Sequence, residues 1–395
     1  MKITYYLIMV FIVASFISCK NNPGQDNLSE NGGLKPDIPV FVGTFTKKES
    51  SVGGKAEGIY LLKMNRDNGH LVMDSSVTRI SNPAFLSISP DNKNLYSVSE
   101  ISEANGPYGF VYAFEINKDN SLRFINKLSS GGSSPCHVCL DDKGKYVFVA
   151  NYQGGVVLMY KRMPNGGLLL SDSININGLS QSVPGKSHAH EVVLAPDNRF
   201  VFVPDLGNDK IWIFKVDYEK GLLVQNEQAF IEIQAGAGPR HFVFHTNGKY
   251  AYVINELDNS INVFLYDSSK GQLSDLQSVT TLPKGYEGES YCAEIQIHPN
   301  GRFIYGSNRG HNSIVSFKID EDTGGLSLIE HVPSRGDFPR FFAINPDGRF
   351  LYAANQNSDN IILFNINPAN GRLSFNEQIV VKTPVCIVFK NQISK

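Results

Sequence analysis

The chain carries no excess of either charge: 36 Lys and Arg stand against 38 Asp and Glu, a formal net of −2, and no basic run or stripe interrupts the balance. A nucleic-acid surface needs such a stripe to neutralise phosphates, so nucleic acid is not expected as a partner. Sustained helical periodicity is missing too, while 35 glycines and 19 prolines suit many tight turns. Cysteine is scarce, with five among 395 residues. Cys136 and Cys139 have the CxxC spacing, but residues three apart on a strand face opposite ways, which disfavours a redox couple or a metal clip. These two, with Cys292 and Cys386, read as free core thiols. No ligand spacing calls for a metal, and no cofactor is implied. A GxSxG elbow is absent, and Ser187 beside His188 has no evident orienting acid, so a serine nucleophile is disfavoured.

The one long apolar run stands at the amino terminus. Lys2, the apolar residues 5–17 and then Ser18-Cys19 read as a lipoprotein signal over residues 1–19, with Cys19 the lipidated residue. The run is too short to be a stable membrane span. An exported protein follows, held by a lipid at the periplasmic face or cell surface; without that leader function the chain is cytoplasmic. Residues 20–37 are polar and rich in Asn and Gly, a flexible tether. From residue 38 to 395 one architecture repeats.

Its unit is clearest at residues 238–257, GPRHFVFHTNGKYAYVINEL. A β-branched and aromatic arm, a Thr-Asn-Gly-Lys turn and an arm alternating large and small apolar residues predict a β-hairpin. Anchored on the basic residue after the turn, copies fall at Lys93, Lys145, Arg199, Lys249, Arg302 and Arg349, spaced 52, 54, 50, 53 and 47 residues apart. A period near 50 with two further strands between hairpins is a four-stranded propeller blade. A seventh hairpin is split between the ends: residues 384–389 match the first arm and residues 39–45 the second. The expected fold is all-β, a seven-bladed propeller whose ring is closed by terminal strands sharing one blade. A ring that buries its own edges is expected to be a monomer.

Stacking the first arms as columns separates core from chemistry. The fourth column (Leu86, Val138, Val192, Phe242, Ile295, Phe342, Ile387) is apolar throughout and is read as packing between blades. The second and third columns hold His190, Arg240 and Arg340, and His137, Glu191, His241 and Glu294; Glu256 and Arg309 end second arms. Antiparallel arms bring these ends to one rim, so His137, His190, Arg240, His241, Glu256, Glu294, Arg309 and Arg340 are expected to share one mouth of the channel. The Asn residues closing the second arms are read as backbone clamps. His245 and His298, at the far ends of their arms, are read as surface residues.

The motifs SHAHEV (187–192), PDLGNDKI (204–211), GPRH (238–241), NEL (255–257), AEIQIHPNGRFIYGSNRG (293–310) and FPRFFAINPDGRFLYAAN (338–355) resemble the seven-bladed propeller lactonase family. That family includes the propeller type of 6-phosphogluconolactonase and the fungal carboxy-muconate cyclising enzyme. The resemblance implies a site at His190, Arg240, Glu256 and Arg309, and hydrolysis of a sugar lactone, foremost 6-phospho-D-glucono-1,5-lactone to 6-phosphogluconate. His190 or Glu256 would serve as general base and the two arginines as oxyanion stabilisers. His137, His241, Glu294 and Arg340 would bind substrate, Arg340 with His137 holding a phosphate or carboxylate. Export points away from a phosphorylated substrate, which is made inside cells, and leaves an unphosphorylated aldonolactone or uronolactone open. A muconate-type lyase and a propeller used only for binding also remain open.

Overall fold

In the hairpin of residues 238–257, Pro239–Phe244 and Tyr250–Asn255 pair antiparallel, and Gly248 supplies the left-handed turn position at φ 68°. Six more hairpins of this kind, each extended by two outer strands, build seven four-stranded antiparallel sheets. The computed structural model describes residues 37–48, 53–106, 108–179 and 186–390. The expected signal peptide, Cys19 and all of the tether but Asp37 lie outside the described residues. Among the described residues no helix is long and apolar enough to cross a membrane.

Blade 1 consists of Ile38–Thr44, Ile59–Met64 and Leu71–Thr78, completed on its inner side by Pro384–Phe389. Val42 faces Ile387 and Phe41 faces Val388 across that closing seam. Blades 2 to 7 have their inner strands at Leu86–Ile88, Pro135–Leu140, Val193–Leu194, Pro239–Phe244, Tyr291–Ile297 and Pro339–Ile344. The core lies between neighbouring blades. Tyr252, Ile254 and Val263 of blade 5, for example, pack on Ile295, Ile304 and Val315 of blade 6. The fourth-column residues are all buried.

Polar locks tie each blade to the next. The hydroxyls of Tyr96, Tyr252, Tyr305 and Tyr352 donate to the carbonyls of Gly166, Gly324, Gly371 and Gly69, each in the outer turn of the following blade, at 2.8, 2.9, 2.8 and 2.6 Å. His245 and His298 belong to this class, which corrects their reading as surface residues: both are buried. Each accepts at Nδ1 from a backbone N–H of its own turn, so Nε2 carries the proton and donates into the next blade, to Gly301 O at 2.7 Å and Gly348 O at 2.8 Å.

The inner strands are less regular than the hairpin reading implied. Register shifts fall between Pro135 and His137, Pro239 and His241, and Pro339 and Phe341, leaving Cys136, Arg240 and Arg340 as the extra, unpaired residue of a β-bulge. Blade 6 shifts between Cys292 and Ile295. A bulge re-aims one side chain without ending the strand. Repeated around the ring at the second column, it sends second- and third-column side chains to different depths.

Candidate active site

A cavity of about 300 Å³ opens at the mouth where second arms end, and all seven blades line it. Glu100, Tyr152, His190, Glu256, Arg309 and Arg340 come one each from blades 2 to 7, and Phe45 follows the first strand of blade 1.

Glu256 is the centre of its charge. Arg240 Nε meets Glu256 Oε2 at 2.8 Å and Arg309 Nη2 meets Oε1 at 2.9 Å, so each carboxylate oxygen has its own guanidinium. The guanidiniums are themselves fixed by backbone: Arg240 Nη1 donates to Ala293 O at 2.7 Å, and Arg309 donates to Tyr291 O and Cys292 O at 3.2 and 2.9 Å. Arg240 is fully buried below the cavity lining, whereas Arg309 and Glu256 reach it. Burial alone would raise the Glu256 carboxyl, but Arg309 and Arg240 together outweigh it and hold the group below the usual carboxylate range. Arg240 is drawn down to about 10 by burial and then by Arg309, and stays protonated at neutral pH. Two guanidiniums against one carboxylate leave one net positive charge beside the cavity.

His190 enters from the side. Its ring stands edge-on to Tyr152 and to His241, with centroids 5.4 and 5.2 Å away, and its Nδ1 is buried with no hydrogen-bond partner among the described residues. Burial first, then the positive field of Arg240, holds its pKa well below the ordinary histidine value, so the imidazole is neutral. Tyr152 is in turn stacked on His188 at 4.5 Å, and the His188 Nδ1 lies 3.1 Å from the Tyr152 carbonyl. His188 therefore braces Tyr152 and does not orient Ser187.

The expected single mouth is corrected in part. His137, His241 and Glu294 do not line the cavity; with Glu191 and the rings of Phe85 and Phe341 they form a second, buried layer deeper in the channel. His241 Nδ1 lies 3.1 Å from Glu294 Oε2, and His137 Nε2 lies 3.4 Å from Glu191 Oε1. Burial pushes Glu294 up to about 8 and both imidazoles down, so each pair is held without net charge. The physical reason is that neighbouring residues of an inner strand are aimed apart: Cys136, His190 and Arg340 of the second column reach the cavity, whereas the third-column residues beside them lie below it. His137 thus has no cavity surface with which to hold a phosphate, and Arg340 stands at the cavity without it.

The Asn residues at the second-arm ends behave as clamps. Asn151 donates to Ser130 O and Val156 O at 2.9 and 3.0 Å, and Asn308 to Thr281 O at 3.0 Å. Cys136 does line the cavity, but burial pushes its thiol up, and such a thiol is inert as a nucleophile. Sequence columns did not single out Glu100, although it directly follows a second-arm end as Glu256 does. The loop residues Ser102, Ser134 and Gln153 carry no repeat signal at all.

The description "Lactonase, 7-bladed beta-propeller" matches residues 39–389. A 6-phosphogluconolactonase of Bacillus subtilis is 33% identical over 305 residues, covering 76% of this chain and 83% of its own length. One from Formosa agariphila is 36% identical over 314 residues, covering 77% and 86%. Among solved structures, the periplasmic gluconolactonase of Pseudomonas aeruginosa superposes with a TM-score of 0.83 at 29% identity, covering 89% of this chain and 99% of that one. With seven four-stranded blades and a family match running from the first strand to the last, the chain belongs to the seven-bladed β-propeller lactonase family.

Proposed function

We propose that the protein is a sugar lactonase of the 6-phosphogluconolactonase type, opening a six-membered aldonolactone to the open-chain acid at the cavity between His190, Glu256 and Arg309. The observation that carries this reading is the clamped Glu256 and the neutral His190 imidazole lining one cavity of about 300 Å³. Hydrolysis needs a water to lose a proton as it adds to the carbonyl carbon, a positive field for the oxygen that becomes negative, and a proton for the ring oxygen as its bond to that carbon breaks. His190 suits the proton transfers, since it is uncharged at neutral pH and lines the cavity. Glu256 is a weaker base, because both its oxygens are occupied by guanidiniums. Its role in this reading is to fix Arg309 and Arg240, whose surplus positive charge faces the developing oxyanion. These roles extend to Arg340 as a holder of the substrate's far end.

Export is part of the proposal. The lipoprotein-type leader ending at Cys19 supports it, as does the periplasmic location in the name of the Pseudomonas relative.

The test is hydrolysis of 6-phosphoglucono-1,5-lactone and glucono-1,5-lactone by the purified protein, with spontaneous opening subtracted. Turnover that Arg240→Ala with Glu256→Ala abolishes supports the site; no turnover of either lactone above that double variant sinks the assignment.

A further inference from the structure

The cavity has two poles. His190, Glu256 and Arg309, from blades 4 to 6, form the one just described; Glu100 and Arg340, from blades 2 and 7, face each other across blade 1 at the other. Arg340 occupies in blade 7 the bulge position that Arg240 occupies in blade 5. The two are held differently. Arg240 finds Glu256 at the end of its own blade's second strand, but the same place in blade 7 is the neutral Gln356, whose side-chain amide donates to Asn357. Arg340 accordingly makes no hydrogen bond among the described residues. Its guanidinium rests 5.4 Å over the Phe45 ring, and its ion pair with Glu100 spans 3.9 Å, with the side chains 16% and 15% exposed.

That gap is too long for a direct hydrogen bond, and a guanidinium offers five N–H donors. A hydroxyl placed beside it accepts from Arg340 and donates to Glu100 at once. A phosphate dianion gains Arg340 but meets the Glu100 carboxylate in the same few ångströms, where like charges repel.

We propose that Glu100 is a specificity-determining residue: by offsetting Arg340 and accepting from a sugar hydroxyl, it makes the unphosphorylated aldonolactone a substrate alongside the phosphorylated one. The inference rests on the lactonase reading above.

The experiment measures kcat/KM for glucono-1,5-lactone and its 6-phosphate with the native protein and with Glu100→Gln. The native protein is expected to turn over both. Glu100→Gln is expected to move the ratio at least tenfold towards the phosphorylated lactone, mainly through KM. A ratio unchanged within twofold, or a native protein that acts on the phosphorylated lactone alone, overturns the assignment while leaving the lactonase reading intact. No turnover of either lactone overturns both. Product inhibition of the native protein needs no variant: gluconate inhibiting within tenfold of the concentration required for 6-phosphogluconate supports the proposal, and inhibition by the phosphorylated acid only refutes it.

Discussion

At the residue scale, the proposed lactonase chemistry rests on Glu256, His190 and the arginines beside them, and each is set by its partners. Glu256 is clamped by charges that also keep it ionised, so replacing Glu256 by Gln should loosen Arg309 and Arg240 together. A loss of about 10²–10³ in kcat is expected, the size found when one oxyanion-stabilising group is removed, with KM less affected; steady-state kinetics check this. His190 supplies a pH signature. Because its pKa is depressed, the neutral, proton-accepting form persists below the usual histidine midpoint near 6.5. The acid limb of kcat/KM should therefore lie well below that midpoint. If the limb survives in His190→Asn, the base is Glu256, and a profile across acid to neutral pH decides between them.

At the scale of elements, the blade-to-blade locks explain why the period stays near 50 residues. Four outer turns present a glycine carbonyl to the tyrosine of the preceding blade, and three of those glycines, Gly69, Gly324 and Gly371, lie against an aromatic ring. At Gly324, where φ is 72°, an added Cβ would sit 2.5 Å from Tyr250 Cδ1. Gly324→Ala is expected to destabilise by more than about 1 kcal/mol, from backbone strain and overlap combined, whereas Tyr305→Phe loses about 1 kcal/mol for its hydrogen bond. Denaturant unfolding of the two variants measures the difference. The bulges act at the same scale: in blades 3 and 7 the extra residue, Cys136 or Arg340, lines the cavity, which a regular hairpin would not do.

At the scale of the whole molecule, closure and the buried channel layer govern stability. Deleting residues from Pro384 onward would leave Ile38–Thr44 without its inner partner and open an unpaired strand edge. Aggregation, or oligomers on size-exclusion chromatography, is the expected result. The channel layer predicts a pH dependence with a definite sign. Burial keeps folded Glu294 protonated up to about pH 8, with Arg240 opposing, while the unfolded carboxyl ionises near its usual value. The folded state thus binds the extra proton, and stability should fall as pH rises from 6.5 to 8, by about 2 kcal/mol for this group. His137, held down to about 3 by burial and then by Arg240, has the opposite sense: the unfolded imidazole binds a proton below about pH 6.5 that the folded one refuses, so stability also falls towards acid. Glu191, raised by the same burial, contributes a fall of the same sign, so Glu294→Gln should lessen the alkaline fall in thermal melts and leave the acid fall in place.

Periodicity belongs to the sequence alone. The spacing of Lys93 to Arg349 determined the blade count, the split hairpin determined closure, and the fourth column marked the core, because apolar alternation and turn chemistry act within a few residues of each other. His190, Arg240, Glu256 and Arg309 were legible as motif positions at one rim. What tertiary structure decided depends on neighbours that no local pattern specifies. Bulges divided one expected cluster into a cavity and a buried layer, placing His137, His241 and Glu294 below. The carbonyl of the next blade drew His245 and His298 inward. Arg340 and Glu100 became partners only because the ring brings blade 7 around to blade 2, and their 3.9 Å separation is a product of that closure.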